Sequence, residues 1–154
     1  MWGKLGYGAL LFATALTHAS IADALDSVPH APLYRALAGE VMAVAAARGV
    51  TPRGFNGFDP AAFAPSASAD AAAASLQAMA DFNRGSAKTH SGIWRDLAVR
   101  KRRTEVDAQV GVVVRLGRAA GIPTPKLERL VALIHGVEDG RFEQGWPALD
   151  ALAA

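Results

Sequence analysis

TEVDAQVGVVVRLGRAAGIPTPKLERLVALIHGVEDG, from Thr104 to Gly140, decides the fold. Val106, Val110, Val113, Val114 and Gly117 recur at three- and four-residue steps, the spacing of one buried helical stripe. Gly121 stops that helix. Thr124 and Pro125 then open another, as a capping residue followed by proline at the first helical position, where no N–H is needed. Leu127, Leu130, Val131, Ile134 and Val137 make its inward face, and Gly140 ends it. Two amphipathic helices in tandem need other helices to cover them.

The rest of the chain supplies them. A first helix is expected from Lys4 to Leu25, apolar on most sides and therefore central. Gly3, Gly6 and Gly8 thin its first turns and would let another backbone or a ligand approach. Pro29 and Pro32 mark a break. A second helix carries Leu33, Leu37, Val41 and Val44 on one face, with Gly49 as its end signal. Thr51 to Pro65 reads as a loop whose three phenylalanines tuck onto the bundle. A third helix spans Ser68 to Asn83, with the alanine run Ala71–Ala74 for close packing and Leu76, Met79 and either Phe82 or Ala80 inward. Ile93, Trp94, Leu97 and Ala98 suggest a short helix. Thr104 caps the Val106 helix, with Asp107 as its capping-box partner, and Trp146 pins the tail. There is no strand alternation, no internal repeat and no GxGxxG. The expectation is an all-α helical bundle, one domain over residues 1–154.

Bulk properties narrow the function classes. The chain has 154 residues and no cysteine, which removes disulfides, thiolate nucleophiles and cysteine-based metal sites. Its 16 basic and 14 acidic residues leave a net charge of +2, too small for a general nucleic-acid surface. The local excess at Arg100, Lys101, Arg102 and Arg103 lacks interleaved aromatics and reads as a solvated face. His18, His30, His90 and His135 show no HxxxH spacing, so no metal site is expected. No GxSxG elbow surrounds Ser91. The apolar run Leu5–Leu16 behind Lys4 resembles an export signal, but its apolar character continues through Ile21, Ala22, Ala24 and Leu25, which favours a buried helix.

Two polar landmarks remain. Lys88–Asp107, KTHSGIWRDLAVRKRRTEVD, places a small-polar loop, a basic run and two first-turn acids within one segment. Such loops usually face a ligand or a partner. Lys4 is the only charge of the first helical stretch before Asp23. A lysine there is either a snorkelling surface cation or one held in a partly dry cleft, where it suits general-acid work. Glu105 and Asp107 complement the helix dipole or reach a ligand.

The W-x-K-L of Trp2–Leu5, the D-L…R-x-T-E-V-D block of Asp96–Asp107, the G-x-x-x-P of Gly121–Pro125 and the closing L-x-x-L-I segment together resemble the C-terminal domain of the ketopantoate reductase (2-dehydropantoate 2-reductase) family. The resemblance implies an all-α bundle like the C-terminal domain of 6-phosphogluconate dehydrogenase. It also implies a cytoplasmic oxidoreductase of pantothenate biosynthesis that reduces a small 2-keto acid with NADPH. That cofactor is bound mainly by a Rossmann domain outside this sequence, in cis or in trans, so that this chain alone is inactive. Lys4 would be the general acid, Glu105 its catalytic companion at the substrate hydroxyl, and Ser91 a holder of the substrate carboxylate. Gly8, Phe12 and Asp107 complete the expected substrate-binding set. Family members carry asparagines where this chain has Gly8 and Phe12, and the Asp96–Glu105 spacing is one residue longer here. A homo-oligomer is expected, with no nucleic-acid or membrane partner. The alternative is a non-catalytic helical interaction or dimerisation module derived from the same fold.

Overall fold

The computed structural model describes residues 1–154. Helical apolar spacing becomes eight α-helices and no strand: α1 Trp2–Thr14, α2 Ile21–Leu25, α3 Ala31–Ala47, α4 Ala69–Arg84, α5 Gly92–Arg95, α6 Val112–Ala120, α7 Pro125–Glu138 and α8 Trp146–Ala153. Two wide, i→i+5 wound turns, Asp96–Arg100 and Asp107–Gly111, extend α5 and lead into α6. The buried side chains form one contiguous cluster. No helix is long and apolar enough to cross a membrane.

α1 is central, as its composition demands. Leu10 and Phe12 are fully buried, and α1 packs on α2, α3, α7 and the Asp107–Gly111 turn. Its glycines divide the work. A Cβ on Gly3 would strike the Arg53 carbonyl, and one on Gly6 would come within 3.0 Å of Phe58 and Met42. These two admit the Thr51–Pro65 loop against the helix. That loop packs as expected: Phe58 stacks on Phe63 with centroids 5.3 Å apart, and Phe55 meets Tyr7 at 5.0 Å.

Several expectations are corrected. The first helix does not reach Leu25; it stops at Thr14, and α2 is a separate element. The hydroxyls of Thr14 and Thr17 donate to the Leu11 and Thr14 carbonyls, a local alternative to the helical ladder. The far tail completes the break: Gln144 Nε2 donates to Ala15 O at 2.7 Å and Gly145 N to Leu16 O at 2.8 Å.

Thr124 does not cap α7. Its Oγ1 is buried without a partner, and the Glu40 carboxylate of α3 instead accepts from Lys126 N (3.1 Å) and Leu127 N (2.9 Å). The Thr104–Asp107 capping box does not form either. Thr104 Oγ1 accepts from Val106 N, but Thr104 N donates to Glu138 Oε2 at 2.7 Å. In α4 the inward residue is Ala80, while Phe82 stays exposed. In α7 Leu133 is buried, while Val131 and Val137 are only half-buried. The tail is pinned by the fully buried Leu149 and Leu152; Trp146 is 42% exposed and stacks on His30.

Candidate functional site

The helix that presents Lys4 also presents Gly8 one turn on, so the two share a face. Lys4 is exposed and Gly8 half-buried. The first thing beyond Gly8 is Gln109: its Oε1 is 3.7 Å from where a Gly8 Cβ would stand, and no other atom outside the helix comes within 4 Å of that point. Gln109 Nε2 donates to Glu105 Oε2 at 2.7 Å. A continuous polar line therefore runs from the bare flank of α1 through Gln109 to Glu105. It crosses where the wide Asp107–Gly111 turn lies against α1. Such turns recur at functional sites because they re-aim side chains out of α-helical register.

The other expected residues fall at different places. Asp107 Oδ1 is 2.8 Å from His135 Nε2 and takes no part in the Gly8 face. Neither acid pairs with Lys4, which belongs to none of the ion pairs. Phe12 is wholly buried in the core and presents no surface to a ligand. Ser91 caps α5, accepting from Trp94 N at 3.1 Å. Its loop is tied beyond the carboxyl end of α1, through Thr89 O to Ile21 N and His90 Nε2 to His18 O, both at 2.9 Å. Lys4 and Thr14, the last residue of α1, are about 15 Å apart along the helix at 1.5 Å per residue. Lys4 and the Ser91 loop thus mark opposite ends of α1.

Glu138 organises the segment between them. Its side chain is only 1% exposed. It receives Thr104 N and Oγ1, faces His135 Nδ1 at 2.6 Å, and accepts from Arg103 Nη1 at 3.0 Å. Burial alone would raise its pKa. The Thr104 amide, His135 and the Thr104 hydroxyl outweigh burial and hold it below the ordinary carboxylate value. His135 sits between Glu138 and Asp107; burial opposes its charge, but the two carboxylates prevail and raise its pKa.

The basic run is largely spoken for. Arg100 and Arg102 both fold onto Asp96 Oδ1, at 3.0 and 2.8 Å, and Arg103 reaches Glu138 and Asp139. Burial pushes the Asp96 pKa up, yet the two guanidiniums bring it below the ordinary range. Lys101 adopts a left-handed φ of 54°, which brings Arg102 N back to Asp96 O at 3.0 Å. The segment from Asp96 toward Glu105 opens with the wide Asp96–Arg100 turn, whose i→i+5 winding takes its side chains out of α-helical register.

Two cavities lie elsewhere. An apolar one of about 690 Å³ is walled by α3, α4 and the Phe63–Pro65 segment. A polar cleft of about 460 Å³ runs between His18, Leu97, Lys101, Arg102, Glu138 and Gln144. The Lys4–Gly8–Gln109–Glu105 line is an open face. No cluster of histidine and carboxylate groups could hold a metal ion.

Sequence reasoning missed Gln109, Glu138 and Glu40. Gln109 follows Glu105 by one helical turn, a spacing at which side chains meet. Glu138 and Glu40 meet partners far along the chain, and no local pattern announces them.

Eight helices without a strand, built around an apolar, lysine-bearing first helix with the Asp107–Gly111 turn against its flank, make an all-α bundle. Residues 1–138 match the family described as ketopantoate reductase PanE/ApbA C terminal, and the chain belongs to that family. No individual curated protein matches the chain.

Proposed function

We propose that this chain is the substrate-binding half of an NADPH-dependent 2-keto-acid reductase, with Lys4 as the general acid and Glu105 as its companion. The observation that carries the proposal is the polar line from Gly8 through Gln109 to Glu105, on the α1 face that also bears Lys4. An exposed ammonium at one end of this face can protonate a carbonyl oxygen as it becomes a hydroxyl. A carboxylate at the other can accept from that hydroxyl and hold the product's orientation. Ser91 caps α5 beyond the far end of α1, too distant to hold a carboxylate bonded to a carbonyl at Lys4, so the expected carboxylate role does not pass to it.

The residues present do not fit a whole dinucleotide. The chain has no strand-to-helix turn to carry a pyrophosphate. On this reading the cofactor would be held by a Rossmann domain, in cis or in trans, and would supply the hydride, while this chain's face would supply the ammonium and the carboxylate. A cytoplasmic setting, a role in pantothenate synthesis and a homo-oligomer belong to the same reading.

The test is steady-state NADPH oxidation by the reductase that contains this domain. Lys4→Ala and Glu105→Ala are each expected to lower kcat by about 10²–10⁴-fold, the range of a positioned acid or base. Rates that match the parent in both variants would overturn the reading. They would favour a helical interaction module instead, for which the bare Gly8 and the buried Phe12 already speak.

A further inference from the structure

We infer that Gln109 is a positioning residue for Glu105, its amide filling from α6's approach turn the space that Gly8 leaves empty on α1. The inference rests on the functional reading above. Four observations carry it. The amide spans two elements, with Oε1 toward Gly8 and Nε2 on Glu105 at 2.7 Å. Gly8 is the only one of α1's three glycines whose missing Cβ meets neither the Thr51–Pro65 loop nor the core; Gly3 and Gly6 are both occupied by such contacts. Gln109 is half-buried whereas Glu105 is exposed, so the amide is the better-fixed partner and can set the rotamer of the freer one. Finally, Gln109 lies in the wide Asp107–Gly111 turn, the part of that helix in contact with α1.

The consequence is a division of labour across the interface. A side chain on α1 would have approached the substrate from the helix that carries Lys4. Here α1 contributes only the ammonium and an open flank, and the hydrogen-bonding group comes from the facing helix.

A double-mutant cycle in the complete reductase tests this. Gln109→Ala should lower kcat about tenfold with KM little changed, the signature of an interaction made in the transition state. The double variant Gln109→Ala/Glu105→Ala should be no slower than Glu105→Ala alone, because Gln109 acts through Glu105. Gly8→Asn added to Gln109→Ala should recover part of the rate, since a Cβ at position 8 meets only the side chain being shortened. Thermal unfolding of each variant should match the parent, because these groups lie outside the core. Multiplicative losses in the double variant, or a Gln109→Ala enzyme with parental kcat beside a slow Glu105→Ala enzyme, would overturn this inference alone. A Glu105→Ala enzyme with parental kcat would remove the functional reading and this inference with it.

Discussion

Glu138 is the residue on which the Thr104–Asp107 segment hangs. Its nearly buried carboxylate receives an amide, a hydroxyl and an imidazole at once, so removing it strands several donors. Glu138→Ala should cost about 2–3 kcal/mol in urea unfolding, the penalty for leaving buried donors unmatched. The exposed Arg103 adds little to that sum. The same contacts give a pH signature with two limbs. Glu138 has a lowered pKa, so its contribution is complete above the ordinary carboxylate range and is lost as pH falls. His135 has a raised pKa, so its contribution is complete below the ordinary value of 6.5 and is lost as pH rises through the folded value. The clamp is therefore strongest in between. Melting temperatures followed from roughly pH 6 to pH 9 should fall along the alkaline limb in the parent and flatten in His135→Gln. Equal slopes in the two proteins would show that His135 is not the titrating group. None of this was legible from Glu138 itself, which in sequence is one more acid near a helix end; its meaning comes from Thr104, 34 positions away.

Among the elements, the stripes that periodicity picks out are buried apart from Val131 and Val137 of α7, where Leu133 turns inward instead. Val106, Val110, Val113 and Val114, then Leu127, Leu130 and Ile134, all lie in the core, because burial of a helical face is written in the local sequence. Helix ends are not written so locally. Thr124–Pro125 has the spelling of a cap, yet Glu40 from α3 does the capping. The Glu40 pKa is raised, chiefly by burial, and the amides of Leu127 and Lys126 work against that rise. Two substitutions separate the cap that is spelled from the cap that acts. Glu40→Ala should cost about 1–2 kcal/mol, as the loss of a capping acceptor does. Thr124→Val should be neutral or stabilise by up to about 1 kcal/mol, because a buried hydroxyl without a partner is replaced by a methyl group of the same shape. Denaturant midpoints of the two variants decide the matter, and a Thr124→Val loss comparable to Glu40→Ala would restore the local reading. The candidate site divides in the same way. Lys4 and Glu105 could be picked out by motif, but the contact between Gly8 and Gln109 depends on how α1 lies across a wide turn that no periodicity announces.

Across the whole molecule, the family match ends at residue 138, but the core does not. Leu149 and Leu152 are fully buried. Lys126 Nζ donates to the Leu152 and Ala153 carbonyls at 3.1 Å each. His30 Nε2 meets Asp150 Oδ1 at 2.6 Å. The segment before α8 also takes the Ala15 and Leu16 carbonyls that the end of α1 leaves over. The tail thus completes the first helix as well as covering the last long one, and the break at Thr14 depends on residues more than a hundred positions away. A tail used in this way should unfold with the rest of the chain. Leu149→Ala should lower stability by about 2–5 kcal/mol, the cost of a cavity at a fully packed leucine. Leu130→Ala, inside the matched region, should cost a comparable amount, and both variants should keep one cooperative transition. Amide exchange gives the independent check, because the α8 amides should open with the same free energy as those of α7. Exchange from α8 far faster than from α7, together with a loss well under about 1 kcal/mol for Leu149→Ala, would make the tail an appendage and leave the end of α1 to be explained by Thr14 and Thr17 alone.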